Sequence, residues 1–140
     1  MAKANSHFKL KYPHMFPQDV RLWERFLAIY GSEFERFEYD IKVGRGVEPP
    51  PDLDEPYRSA VIILSKKRID AVGYKDNEIW IFEVKPDIGL AALGQLLAYR
   101  ELWIRDRGQA DRLHLAAVTD NITDDERYVY ERFGIKIYLV

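Results

Sequence analysis

Cysteine is absent from the sequence, which excludes disulfides, thiol catalysis and thiolate metal centres and fits a reducing compartment. Histidine is scarce: His7, His14 and His114 are too scattered for a zinc-ligand spacing or a histidine-based nuclease motif. Neither sign of charge dominates. Twenty-one Lys+Arg face 23 Asp+Glu, a formal net charge of -2, so a bulk-basic nucleic-acid binder is excluded and any such contact needs a local patch. No apolar run reaches the roughly 18 residues of a membrane span. Residues 1–10 are polar and basic, unlike a signal-peptide core. These absences predict a soluble, intracellular (cytoplasmic) protein with no membrane partner, whose chemistry rests on carboxylates, lysine, arginine or tyrosine. What is present is ordinary: 47% hydrophobic and 31% charged residues in a chain of 140. That suffices for one domain, residues 1–140, with a core that needs no staples.

Residues 1–18 carry Pro13 and Pro17 without periodicity and read as a lead-in, with Phe8, Tyr12 and Phe16 as its apolar anchors. Asp19 is placed to cap a helix over residues 20–30, stopped by Gly31, with Leu22, Trp23, Phe26 and Leu27 on one arc. Residues 34–43 form an imperfectly alternating strand, and the Gly- and Pro-rich stretch 44–56 is a long loop. Residues 57–64 suit a short helix or a strand equally. Strands over 68–74 and 78–85 flank a Lys75-Asp76-Asn77 turn. Residues 87–104 make a helix apolar nearly all round, rich in small residues, which suggests burial against a sheet; a dimer interface is the other explanation. Leu113–Thr119 is a strand, Thr123 and Glu126 form a capping box for a helix closed by Gly134, and residues 135–140 end the chain as a strand. The order predicts a mixed α/β layer structure.

The chemistry concentrates in the middle. An even-numbered turn sets Tyr74 against Ile79, and the same register puts Asp70 opposite Glu83, with Lys85 two residues on along the same face. An odd turn throws Asp70 to the other face. The second strand is otherwise apolar on both faces (Ile79, Trp80, Ile81, Phe82, Val84), so it reads as central, and charges at its end are costly without compensation. The compensation is either an ion pair with Lys85 or a divalent cation such as Mg²⁺ or Mn²⁺ held by the two carboxylates.

Asp70, twelve intervening residues, then Glu83-Val84-Lys85 resembles the PD-(D/E)XK nuclease superfamily, with Ile69 where the name's proline stands. Gln95-Leu96-Leu97-Ala98-Tyr99 on the following helix is similar to the Gln-x-x-x-Tyr motif of its RecB/Cas4-like branch; without cysteines the Fe–S version is excluded. The resemblance, carried by residues 68–99, implies a restriction-endonuclease-like mixed sheet flanked by helices, with the motif on the second and third strands. It further implies metal-dependent hydrolysis of DNA phosphodiesters. Asp70, Glu83 and the Val84 backbone would hold Mg²⁺, with Mn²⁺ able to substitute, Lys85 would be the catalytic lysine, and Gln95 and Tyr99 would support them. The family's glutamate on the first core helix maps best to Glu24, with Glu38 and Asp40 as rivals.

Lys66, Lys67 and Arg68, and beyond the long helix Arg105 and Arg107, are the basic clusters available for a phosphate backbone. The amides where that helix opens, near Asp87, are a second source of phosphate contacts. His114 is expected in the core, as are Trp80 and Trp103. The competing reading is a catalytically inactive member of the same fold that binds DNA or serves in assembly; a homodimer is compatible with either.

Overall fold

The computed structural model describes residues 11–140; Phe8 and His7 of the predicted lead-in lie outside the described residues. The first helix, α1 (Pro17–Tyr30), starts earlier than Asp19 alone suggested. Pro17 at the first helical position explains this, because its φ is already helical and the N–H it lacks would have had no intrahelical partner. Asp19 still caps the helix from within, its carboxylate accepting the Phe16 N–H at 3.0 Å. Gly31 ends α1 in a right-handed conformation and leads into a 3-10 turn.

The strands are β1 (Arg36–Val43), β2 (Lys67–Lys75), β3 (Glu78–Val84), β4 (Leu113–Thr119) and β5 (Ile135–Leu139), in the sheet order β1-β2-β3-β4-β5. Pairing is antiparallel from β1 to β3 and parallel from β3 to β5. Asp76 and Asn77 both have positive φ, 49° and 64°, as a two-residue type I′ hairpin requires. The loop is therefore even, and Tyr74 pairs with Ile79 as expected. The ambiguous segment is a helix, α2 (Tyr57–Leu64), none of whose residues is buried.

The parallel step from β3 to β4 is made by α3 (Leu90–Arg107), which starts later than predicted. Asp87 takes a left-handed turn (φ 46°) and Gly89 becomes the N-cap. Only one face of α3 is buried, through Ala92, Leu93, Leu96, Tyr99 and Trp103. Ala91, Gly94 and Ala98 face outward, so its small residues do not mark burial on all sides. The last helix, α4 (Asp124–Arg132), opens on the predicted cap: Thr123 Oγ1 accepts the Glu126 N–H at 3.2 Å.

Two apolar layers sandwich the sheet. On one face α1 packs Leu22, Trp23 and Phe26 on Ala71, Phe82, Val84 and Tyr138. Trp23, Phe26, Phe34, Phe37 and Phe82 form edge-on and tilted ring pairs there, each worth about 0.5–1.5 kcal/mol beyond burial. On the other, Leu96, Tyr99 and Trp103 of α3 and Tyr130 of α4 cover Ile69, Val72, Ile79 and Ile81. Trp80 and Trp103 are buried as expected. His114 is not: it stacks on Trp80 at 4.7 Å and sets Nε2 3.1 Å from Glu78, half exposed. As a border position at the start of β4, it keeps its ring nitrogen within reach of water. Among the described residues, no helix is long and apolar enough to cross a membrane.

Candidate active site

The hairpin pairing ends at Ala71–Phe82, and the next residue on each strand, Asp70 and Glu83, brings its carboxyl beside the other's. Asp70 Oδ2 accepts the Val84 N–H at 3.0 Å, and Lys85 follows at the end of β3, where its N–H donates to Val118 O at 3.0 Å. Asp70 and Glu83 are 6% and 7% exposed; among the described residues they are the only charged side chains in the core. The cleft they floor is also lined by His14, Phe16, Gln18, Asp19, Lys85 and Gln95. Elements far apart in sequence thus meet here: the turn into α1, the β2–β3 hairpin and the first half of α3.

Burial pushes the Glu83 carboxyl well above the ordinary carboxylate range, and the facing Asp70 charge pushes it further. Burial also raises Asp70, against the pull of the Val84 N–H. The Tyr99 hydroxyl favours the ionised form of Glu83, and burial beside the two acids keeps that hydroxyl protonated. Even so, Glu83 Oε2 is buried without a hydrogen-bond partner. A buried acid pair with an orphaned oxygen is electrostatically incomplete.

Gln95 and Tyr99, one turn apart, reach the site in different ways. Gln95 lines the open cleft, whereas Tyr99 lies buried behind Glu83. Glu24 does not reach the cleft: it is exposed and borders a separate hollow with Tyr12, Met15, Val20 and Arg21. The acid that α1 aims at the site is Asp19, whose charge bears on Asp70. Five residues turn a helix through about 140°, which carries Glu24 off the face that Asp19 occupies. The rivals are engaged elsewhere. Glu38 accepts the Tyr74 hydroxyl at 2.5 Å, and Asp40, left-handed at φ 55°, holds Arg68 through contacts of 2.6 and 2.7 Å.

That fork removes Arg68 from the free cations. Arg105 pairs with Asp106 at 2.9 Å, and Arg107 stacks on Trp103 while donating to Lys42 O at 3.3 Å. Lys66 and Lys67 line a groove with Arg45 and Arg105 that shares no residue with the cleft. The amides expected to face phosphate are also taken: Asp87 N–H donates to Asp120 Oδ1 at 2.8 Å, and Ile88 N–H to Asn121 O at 3.1 Å.

The donor set suits a hard divalent cation. Among the described residues no three His, Cys, Asp or Glu side chains would enclose an ion by themselves. Mg²⁺ needs no such cage, since it commonly takes one or two carboxylates and completes its shell with water and substrate oxygens. Glu83 Oε2, buried and unpartnered, is the atom such an ion would satisfy.

No protein-family model and no curated protein matches the sequence. The fold does have solved counterparts. A repair endonuclease from Pyrococcus abyssi matches 91% of this chain with a TM-score of 0.53 at 15% identity. EndoMS matches 90% in its apo form and 93% in its complex with double-stranded DNA, each with a TM-score of 0.53 and 15% identity. The chain spans about half the length of these structures, 47–49%. Its fold is the one these structures share, restriction-endonuclease-like, and Asp70 and Glu83 lie on the second and third strands as the sequence implied.

Proposed function

We propose that the protein is a divalent-metal-dependent nuclease that hydrolyses phosphodiester bonds of DNA. The observation that carries this reading is the meeting of Asp70, Glu83, Lys85 and Gln95 in one cleft, with Glu83 Oε2 buried and unpartnered. Among the described residues neither carboxylate forms an ion pair, with Lys85 or any other cation. The solved counterparts support the reading, since one is a repair endonuclease and another, EndoMS, is bound to double-stranded DNA.

Asp70, Glu83 and the Val84 carbonyl would hold Mg²⁺ or Mn²⁺, which when bound polarises a phosphoryl oxygen and acidifies water. The chain's own groups do the rest. Lys85, exposed at the mouth of the cleft, places positive charge where the scissile phosphate gains negative charge. Gln95 has a donor and an acceptor with which to orient water or a phosphate oxygen. Tyr99 holds Glu83 from behind. Asp19 and His14 stand at the entrance, on the side of α1.

The test is cleavage of labelled single-stranded, duplex and branched DNA with Mg²⁺, with Mn²⁺ and with chelator. Metal-dependent cleavage by the parent and none by Asp70→Asn is expected. DNA binding without cleavage of any substrate would make the protein an inactive, DNA-binding member of the fold.

A further inference from the structure

We infer that a ridge on α1, formed by Gln18, Arg21 and Arg25, carries the phosphate backbone of the DNA strand away from the cleft. The inference rests on the nuclease reading for its substrate, but its geometry is independent of catalysis. The three residues recur at i, i+3 and i+7 and so share one helix face about 10 Å long. All three are exposed. With Leu22, Pro86 and Asp120 they line a trough, and Gln18 and Pro86 belong equally to the cleft that holds Asp70 and Glu83. The trough therefore opens directly out of the cleft, beside the residue that follows Lys85.

Charge supports the same path. Among the described residues neither Arg21 nor Arg25 makes an ion pair, in contrast to Arg68 and Arg105. The carboxylate in the trough, Asp120, already accepts the Asp87 N–H. Arg21 and Arg25 stand one turn, about 6 Å, apart, a spacing that suits neighbouring phosphates of one strand, and the arginine fork suits phosphate oxygens. The groove with Lys66 and Lys67 is also basic but is not continuous with the cleft. A backbone held there would not lead straight to the acid pair.

The experiment measures binding of a labelled duplex in Ca²⁺ across a salt series, for the parent, Arg21→Ala/Arg25→Ala and Lys66→Ala/Lys67→Ala. Hydrolysis of bis(p-nitrophenyl) phosphate in Mn²⁺, a diester too short to reach the ridge, is followed in parallel. The α1 double variant should weaken duplex binding by roughly tenfold or more and lower the salt slope by about two. Its hydrolysis of the small diester should equal the parent's. Parental binding by that variant overturns the inference, as does a larger slope loss in the Lys66/Lys67 pair, or loss of small-diester hydrolysis in the α1 variant. If the parent cleaves nothing yet the slope falls with Arg21 and Arg25, the ridge stands and the nuclease reading falls. If the parent binds no DNA, both fall.

Discussion

The Val84 N–H donates to Asp70 Oδ2 at 3.0 Å, fastening β2 to β3 at the point where the two core acids converge. The bond favours ionised Asp70, yet burial outweighs it and both carboxyls are raised. A carboxyl raised on folding binds its proton more tightly in the folded than in the unfolded chain. Its stabilising effect is then full at low pH and is lost as pH climbs above the ordinary carboxylate value of about 4. Asp40, lowered by its hydrogen bonds to Arg68, works in the opposite direction and only below that window. The metal-free protein is therefore expected to melt at lower temperature as pH rises from about 5 to 8. Glu83→Gln should flatten the trend and stabilise the protein at the upper end by about 1–3 kcal/mol. Mn²⁺ should stabilise the parent increasingly with pH, because its ligands must be ionised. A metal-free melting profile that rises across this range would contradict the burial of the pair.

Removal of the acids and of the lysine should separate binding from chemistry. Asp70→Asn, Glu83→Gln and Lys85→Ala should each lower cleavage by about 100-fold or more. Calorimetric titration with Mn²⁺ should show weak or absent binding for the first two and near-parental binding for Lys85→Ala, since an ammonium is not a ligand. Parental cleavage by all three would dismiss the site.

The two acids of α1 should behave oppositely. Asp19→Asn is expected to reduce kcat several-fold, whereas Glu24→Gln, facing another hollow, should stay within about twofold of the parent. Gln95→Ala should be severe and Tyr99→Phe mild, because Gln95 faces the cleft and Tyr99 acts through Glu83. Single-turnover rates on one DNA substrate compare all four. An effect of Glu24→Gln larger than that of Asp19→Asn would restore the original assignment.

Gly73 provides a stability test away from the chemistry. A Cβ there would stand 2.8 Å from Phe34 Cδ1 and 2.9 Å from Phe37 Cε1, closer than carbon atoms pack. Gly73→Ala should therefore cost about 1–3 kcal/mol through overpacking. Urea denaturation at neutral pH measures it, and unchanged stability would mean that the aromatic pair moves aside freely.

The sequence carried most of the frame because its signals were local. The Asp76–Asn77 turn set the hairpin register, and with it the meeting of Asp70 and Glu83. Thr123 and Glu126 marked α4 by a cap that needs only four residues. What it concealed depended on distant partners. The choice of Asp19 over Glu24 turned on where α1 begins and how it lies over the sheet. That Arg68 is unavailable depends on Asp40 28 residues earlier, and the pair Arg21 and Arg25, without an ion pair among the described residues, is tied to the cleft only through Pro86, distant in sequence. Their places at i+3 and i+7 from Gln18 were the sequence clue. The alternation of residues 34–43 breaks at Glu35 and Arg36 because the strand begins only at Arg36; within β1 it is the pairing that is interrupted, at the left-handed Asp40.

That interruption also bears on solubility. β1 is an outer strand of the sheet, and a straight, apolar border strand offers unpaired amides and carbonyls to any similar chain. Here Arg36, Glu38, Asp40 and Lys42 set charge at every second position, and the twist at Asp40 prevents a long flat run. The open border of the sheet thus carries a barrier to recruitment into fibrils.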